Sequence, residues 1–179
     1  MYHNAAAKSL LEKTLYSYLK PLDEFNAKQM SPANLTRGGA LALGGLNKNL
    51  LAFELERIVA VLTETCKLKN NKDLDDAETR KHATYALGSI LTTLLQSNTR
   101  ENPGGARFKE DIEIPAVNFD YYVAIFDALL MCMEDYHTDR RGDVGSWVRG
   151  GAMNSIVNIF DFKEPSDSEW LIVANVLLQ

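Results

Sequence analysis

The sequence predicts an all-α fold of stacked antiparallel helix pairs. Apolar residues recur at helical spacing in segment after segment, and strand-like alternation persists nowhere. An Arg followed three residues later by Ala, at the head of an apolar helical run, occurs in three places. These are Thr36-Arg37-Gly38-Gly39-Ala40, Thr79-Arg80-Lys81-His82-Ala83 and Val148-Arg149-Gly150-Gly151-Ala152. Arg37 and Arg80 stand 43 residues apart, close to the length of one HEAT or armadillo helix pair. The expected architecture is a HEAT/armadillo-like α-solenoid, a class that works mostly by holding partners.

The first helix is expected over residues 5–19, with Leu10, Leu11, Leu15, Tyr18 and Leu19 on one face and Pro21 as its stop. Ser31-Pro32 reads as a cap followed by proline at the first helical position. The helix that follows, Ala33 to Leu46, turns Leu35, Ala42, Leu43 and Leu46 inward. Its glycines imply very close helix approach or dependence on neighbours, because each costs about 1 kcal/mol against alanine. Residues 49–67 form one stripe: Leu51, Leu55, Ile58, Leu62 and Cys66 lie 4, 3, 4 and 4 apart. After a polar turn over 68–74, Asp75 or Asp76 caps a helix reaching Gln96. Residues 97–115 break the pattern with Asn102-Pro103-Gly104-Gly105 and Ile114-Pro115, a long inserted loop. Phe119 to Glu134 is helical, with Tyr122, Phe126, Leu129, Leu130 and Met133 inward. A polar loop from Asp135 to Gly145 leads to a helix over Ser146 to Phe160. Ser166 or Asp167 caps a last helix through Trp170, Leu171, Ala174 and Leu178.

The chain has 179 residues, 46% hydrophobic and 24% charged, enough for a single helical-repeat domain over residues 1–179. That domain reads as a segment of a larger solenoid, since the last helix lacks the polar stop of a terminal repeat. Net charge is −5, and the basic runs are pairs such as Arg140-Arg141 and Arg80-Lys81, which argues against nucleic acid. No apolar run is long enough to span a membrane, and no secretory leader is visible in residues 1–20. Cys66 and Cys132 fall inside apolar helical patterns, as reduced buried thiols do. The expected location is cytosolic.

Arg37, Arg80 and Arg149 read as framework residues that pair with acids of a neighbouring repeat, while Ala40, Ala83 and Ala152 let paired helices approach. The most distinctive cluster is the loop from Asp135 to Trp147. Its Arg141-Gly142-Asp143 is the tripeptide of integrin ligands, a reading that needs secretion. Asp135, Asp139 and Asp143 fall four apart without the terminal glutamate of a calcium loop, so no metal is expected. In the structural reading Asp143 caps the next helix and Arg140 or Arg141 reaches a neighbouring acid. Such a loop on a rigid scaffold also suits partner binding, through Asp139, Arg140, Arg141, Asp143 and Trp147. His3, His82 and His137 are too scattered for zinc. Gly39 to Gly45 lacks the Gly-Lys-Ser/Thr of a phosphate loop. Neither a catalytic residue nor a cofactor is expected.

The stretch Asp135-Tyr136-His137-Thr138-Asp139-Arg140-Arg141-Gly142-Asp143-Val144-Gly145-Ser146-Trp147-Val148-Arg149 closely resembles the signature Asp-Tyr-Thr-Thr-Asp-Ser-Arg-Gly-Asp-Val-Gly-x-Trp-Val-Arg of the tubulin-folding cofactor D family. Thr36-Arg37-Gly38-Gly39-Ala40-Leu41-Ala42-Leu43-Gly44-Gly45-Leu46 resembles that family's Thr-Arg-x-Gly-x-Ala-Leu-Ala-Leu-Gly segment, upstream at similar spacing. His137 and Arg140 depart from the signature, and Gly150-Gly151 stands where better helix formers are expected. The resemblance covers roughly residues 31–160 and implies part of the C-terminal half of a large cytosolic HEAT-repeat chaperone. It further implies binding of β-tubulin, work with cofactors C and E and an Arf-like small GTPase, and assembly and disassembly of the αβ-tubulin heterodimer. By the same resemblance the chaperone belongs with the microtubule cytoskeleton and helps stimulate GTP hydrolysis by tubulin, without being an enzyme itself. The alternative is a general HEAT or armadillo adaptor for another cytosolic partner. A helical enzyme is the third reading and has little support in the residues.

Overall fold

The computed structural model describes residues 2–69, 75–99, 119–162 and 164–177. Among them are eight helices and one small hairpin: α1 Tyr2–Asn26, α2 Ala33–Gly44, α3 Lys48–Leu51, α4 Leu55–Cys66, α5 Ala77–Thr99, α6 Phe119–Met133, β1 Thr138–Asp139, β2 Gly142–Asp143, α7 Gly145–Phe162 and α8 Asp167–Leu177. The class is all-α. Helix α1 packs on α2, α4 on α5 and α6 on α7, and the pairs stack in two layers. One layer holds α1, α4, α6 and α8; the other holds α2, α5 and α7, with α5 the central helix. This is the layered helix-pair stacking of a HEAT-like solenoid. Most of the loop expected over 97–115 lies outside the described residues, as do residues 70–74 and Leu178.

One apolar cluster runs between the layers, from Leu15 and Leu19 of α1 through Ile58 and Leu62 to Ile156 and Ile159 of α7. Pro21 does not end the first helix: α1 continues to Asn26 with the proline inside it. A proline there costs on the order of 3 kcal/mol. Leu22 and Phe25 extend the buried stripe beyond it, and each such side chain recovers about 1.5–3 kcal/mol. Asn26 then donates to the Val61 carbonyl (3.0 Å) and to Thr65 Oγ1 (3.1 Å) of α4. Tertiary contact therefore outweighs the local breaker.

Helix α2 differs from expectation in cap and in face. Pro32, not Ser31, occupies the cap position, and no side chain caps the end. The Ser31 hydroxyl is buried without a partner among the described residues. Leu35 is exposed, while Thr36, Gly39, Ala40, Leu43 and Gly44 are buried. Close approach sets this rotation. A Cβ at Gly39 would sit 2.6 Å from the Tyr18 carbonyl of α1, and one at Gly44 would sit 2.6 Å from Ala86 Cα of α5.

The stripe from Leu51 to Cys66 is buried throughout, but it spans two helices. The chain tightens at residues 52–54, where Phe53 and Glu54 N–H groups reach back to the carbonyls of Leu50 (3.4 Å) and Leu51 (3.2 Å). The tighter turn keeps Leu51 and Leu55 on the same side. In α8 Val173 is buried, and Trp170, Leu171 and Ala174 face out. Helix α8 rests on α6 and on Phe160, whose ring centroid lies 5.1 Å from that of Trp170. Ser166 supplies its cap in a reciprocal box: Glu169 accepts from the Ser166 N–H at 2.7 Å. Glu169 also accepts from the Tyr122 hydroxyl at 2.5 Å, which ties α8 to α6.

The two Gly-Gly pairs of the repeat give a matched test. Gly39 and Gly151 touch a neighbouring helix, Gly151 lying against Thr84 and Lys81 of α5, whereas Gly38 and Gly150 meet open space. Gly38→Ala and Gly150→Ala should each stabilise the fold by about 0.5–1 kcal/mol. Gly39→Ala and Gly151→Ala should each lower the denaturant midpoint, because the added methyl forces the helices apart. Equal effects at the inner and outer glycines would contradict the packing described.

Candidate functional site

The three repeat arginines lie at the heads of α2, α5 and α7, and each meets acids near a helix start. Arg37 grips Asp76 with two parallel hydrogen bonds, Nε to Oδ2 and Nη2 to Oδ1, both 2.8 Å. Its Nη1 also meets Glu78 at 2.5 Å. Asp76 caps α5 by accepting from the Thr79 N–H (3.1 Å) and hydroxyl (2.6 Å). The hydroxyls of Thr36 and Thr79 meet at 2.9 Å, so the first two copies of the pattern touch side by side. Burial pushes the Asp76 carboxyl up, but hydrogen bonds from Arg37 and Thr79 outweigh it and hold its pKa below the usual value. The Asp76 hydrogen bonds raise Arg37 in turn.

Arg80 is fully buried. Its guanidinium bridges Asp75 at 3.0 Å, just before its own helix, and Asp135, just past the end of α6. Both carboxylates are themselves almost wholly buried. Asp135 is the junction. One carboxylate oxygen takes Arg80, the other accepts the His137 N–H at 3.0 Å, and the backbone carbonyl accepts Arg149. Gly145 packs against Asp135 so closely that no Cβ fits, and its N–H donates to the His137 carbonyl at 2.8 Å. Ala40, Ala83 and Ala152 are all fully buried.

The loop on this junction is a hairpin. Thr138 pairs with Asp143 and Asp139 with Gly142, and Gly142 takes a positive φ of 105° at the turn. Sequence alternation could not reveal strands only two residues long. Asp139 accepts from the Arg141 N–H at 2.6 Å and from its guanidinium at 2.9 and 2.7 Å. Those hydrogen bonds lower the Asp139 pKa and raise that of Arg141. The Arg141 guanidinium lies 5.0 Å above the Trp147 ring, and that of Arg149 lies 4.6 Å above Tyr136. Asp143 caps α7 by accepting from the Ser146 N–H at 3.0 Å and pairs with Arg149 at 2.7 Å, which lowers its pKa.

The structure thus brings Asp139, Arg141 and Asp143 together on one hairpin, beside Trp147 in the first turn of α7, and the charged members engage each other or Arg149. Arg140 is exposed and makes no hydrogen bond or ion pair among the described residues. The acids spaced like a partial calcium loop are each matched to an arginine: Asp135 to Arg80, Asp139 to Arg141 and Asp143 to Arg149. No group of three metal-ligating side chains lies together among the described residues. The sequence offers Asp75 only as a cap candidate, not as a partner of Arg80, and does not mark Tyr136 as a site residue; Asp76 is the residue that caps α5. The available signal for Asp75 was its place just before a capped helix that opens on an arginine.

The chain is similar to a tubulin-specific chaperone. It is 29% identical over 149 residues to the tubulin-specific chaperone D of Dictyostelium discoideum, a match over 79% of this chain and 9% of that protein. The chain therefore spans a small fraction of the relative's length. No protein-family model matches the sequence, and no solved structure matches it. No helix among the described residues is long and apolar enough to cross a membrane.

The Asp76–Arg37 pair makes stability depend on pH. The folded carboxyl titrates below its ordinary value of 3.8, so the unfolded chain binds more protons there. The resulting stabilisation is present above about pH 4 and is lost as pH falls through the lower folded value. Thermal midpoints should drop on acidification below about pH 4. Asp76→Asn, which keeps a capping side chain, should be less stable at neutral pH and show a flatter acid limb. An acid limb of unchanged steepness would remove Asp76 from this role.

Proposed function

We propose that this chain is a non-catalytic segment of a tubulin-folding chaperone, acting by surface recognition. The observation that carries the reading is the similarity to tubulin-specific chaperone D over most of this chain. The repeat geometry supports it, since stacked helix pairs with an ordered hairpin make a rigid holding surface. In this reading residues 1–179 are one stretch of a longer solenoid. Its partner is β-tubulin, with cofactors C and E and an Arf-like small GTPase acting on the same assembly. The whole chaperone would serve the making and unmaking of the αβ-tubulin heterodimer in the cytoplasm. GTP hydrolysis in that process is tubulin's own chemistry, stimulated by the assembled cofactors.

The contact surface we assign is the hairpin with Tyr136, Arg140, Arg141 and Trp147. Trp147 and Arg141 form one stacked unit, and Arg140 offers a charge that the fold itself does not use. Interfaces draw most of their energy from such Trp, Tyr and Arg side chains. Immobilised β-tubulin should retain the chain, and Trp147→Ala and Arg140→Glu should each weaken retention at least about tenfold with helicity unchanged. Retention by tubulin with no loss in either variant would move the interface off the hairpin. No retention at all, with another protein recovered specifically, would favour a general adaptor.

A further inference from the structure

The two cysteines take no part in the ion pairs of the arginine frame and hairpin, although they lie next to it. Cys66 ends α4, and Cys132 lies one residue before the end of α6. Both are buried and free. The Cys132 thiol donates to the Cys66 carbonyl at 3.8 Å across the two helices. The nearby Cys132 thiol, reinforced by burial, pushes the Cys66 thiol up. Two packed thiols alone would read as core filler and a weak cap for the end of α4. A further observation separates this pair from filler: a cavity of about 270 Å³ is lined by both cysteines, together with Leu68, Asp135 and Tyr136. The pocket brings solvent-accessible space up to both cysteine residues, beside the junction that holds the hairpin.

We propose that Cys66 and Cys132 form a modification site, a dithiol that a small hydroperoxide converts to an intramolecular disulfide linking α4 to α6. One thiolate attacks the peroxide; an S–O bond forms, the O–O bond breaks, and the departing hydroxide or alkoxide takes a proton to leave as water or alcohol. The second thiol then attacks the sulfenic sulfur. The S–S bond forms, the S–O bond breaks, and water leaves. Two electrons pass from the two sulfurs to the peroxide. The raised Cys66 pKa and the burial make the reaction slow at neutral pH and faster in alkali. The link ties together two neighbouring helices of one layer and closes a long chain segment, the cysteines standing 66 positions apart. Its effect is to lock the spacing of adjacent repeats directly beneath Asp135 and Tyr136. This inference does not depend on the tubulin reading.

The test uses the full chain treated with hydrogen peroxide, then alkylated with and without dithiothreitol and weighed intact. Both thiols should be lost together, with a mass lower by two hydrogens, no dimer, and full recovery on reduction. The oxidised chain should melt roughly 5–15 °C higher than the reduced one. Cys66→Ala and Cys132→Ala, checked for unchanged helicity, should instead yield a dimedone-trapped sulfenic acid on the remaining cysteine. The proposal fails if the thiols stay alkylatable, if each is oxidised separately to sulfinic acid, or if the disulfides join different chains.

Discussion

The fold turns on Arg80. A guanidinium removed from water is tolerable only when carboxylates replace most of its hydration; Asp75 takes one terminal nitrogen and Asp135 the other, while Nε has no partner among the described residues. Asp75 belongs to the approach to the same helix, so that contact is local. Asp135 lies far along the chain, at the exit of α6, so Arg80 fixes where the second and third helix pairs meet. The requirement is mutual, since either carboxylate left alone would be a buried uncompensated charge. That mutual need converts helix packing, which tolerates sliding, into a defined register.

From this junction order spreads outward. Asp135 uses both carboxylate oxygens and its carbonyl, so Arg80, the His137 amide and Arg149 converge on one residue. Arg149 then reaches Asp143, which caps α7, and the hairpin between is pinned at both ends. The arginines form a graded series: Arg37 is partly exposed and grips the cap of α5, Arg80 is sealed, and Arg149 stacks on Tyr136 at the surface. Small residues allow the helices to come close enough for these reaches. Gly88 of α5 faces Ser155 of α7 with no room for a Cβ, and the Ser155 hydroxyl donates to the Thr84 carbonyl at 3.0 Å. The candidate surface is thus the outer shell of a framework, and its charged residues are already held by framework partners, Arg140 excepted.

Much of this architecture was legible in the residues. Helical periodicity located the main apolar stripes, including Leu51 to Cys66 and Tyr122 to Met133, because burial selects on spacing alone. The 43-residue interval between Arg37 and Arg80 marked one helix pair correctly, and the two arginines do stand on helices packed side by side. Local punctuation was less dependable. Pro21 lies within α1 because Leu22 and Phe25 have a core to enter, which no local rule can register. Leu35 faces out because Gly39 and Gly44 decide which side of α2 can approach its neighbours. The second acid on Arg80 was invisible for a related reason: Asp135 stands 55 positions away, and only the stacking of pairs brings it near. The hairpin residues were picked out as a cluster, but their mutual pairing depends on a turn geometry that a polar stretch does not advertise.

Hydrogen exchange measured amide by amide in Arg80→Met and Asp135→Asn tests the dependence on this junction most directly. The account predicts that the His137 and Gly145 amides lose at least about tenfold in protection in both variants. The amides of α1 should retain theirs more fully, since α1 packs chiefly on α2 and α4, away from Asp135. Protection of His137 and Gly145 left at its original level in a folded variant would contradict the claim that Arg80, through Asp135, holds the loop in place.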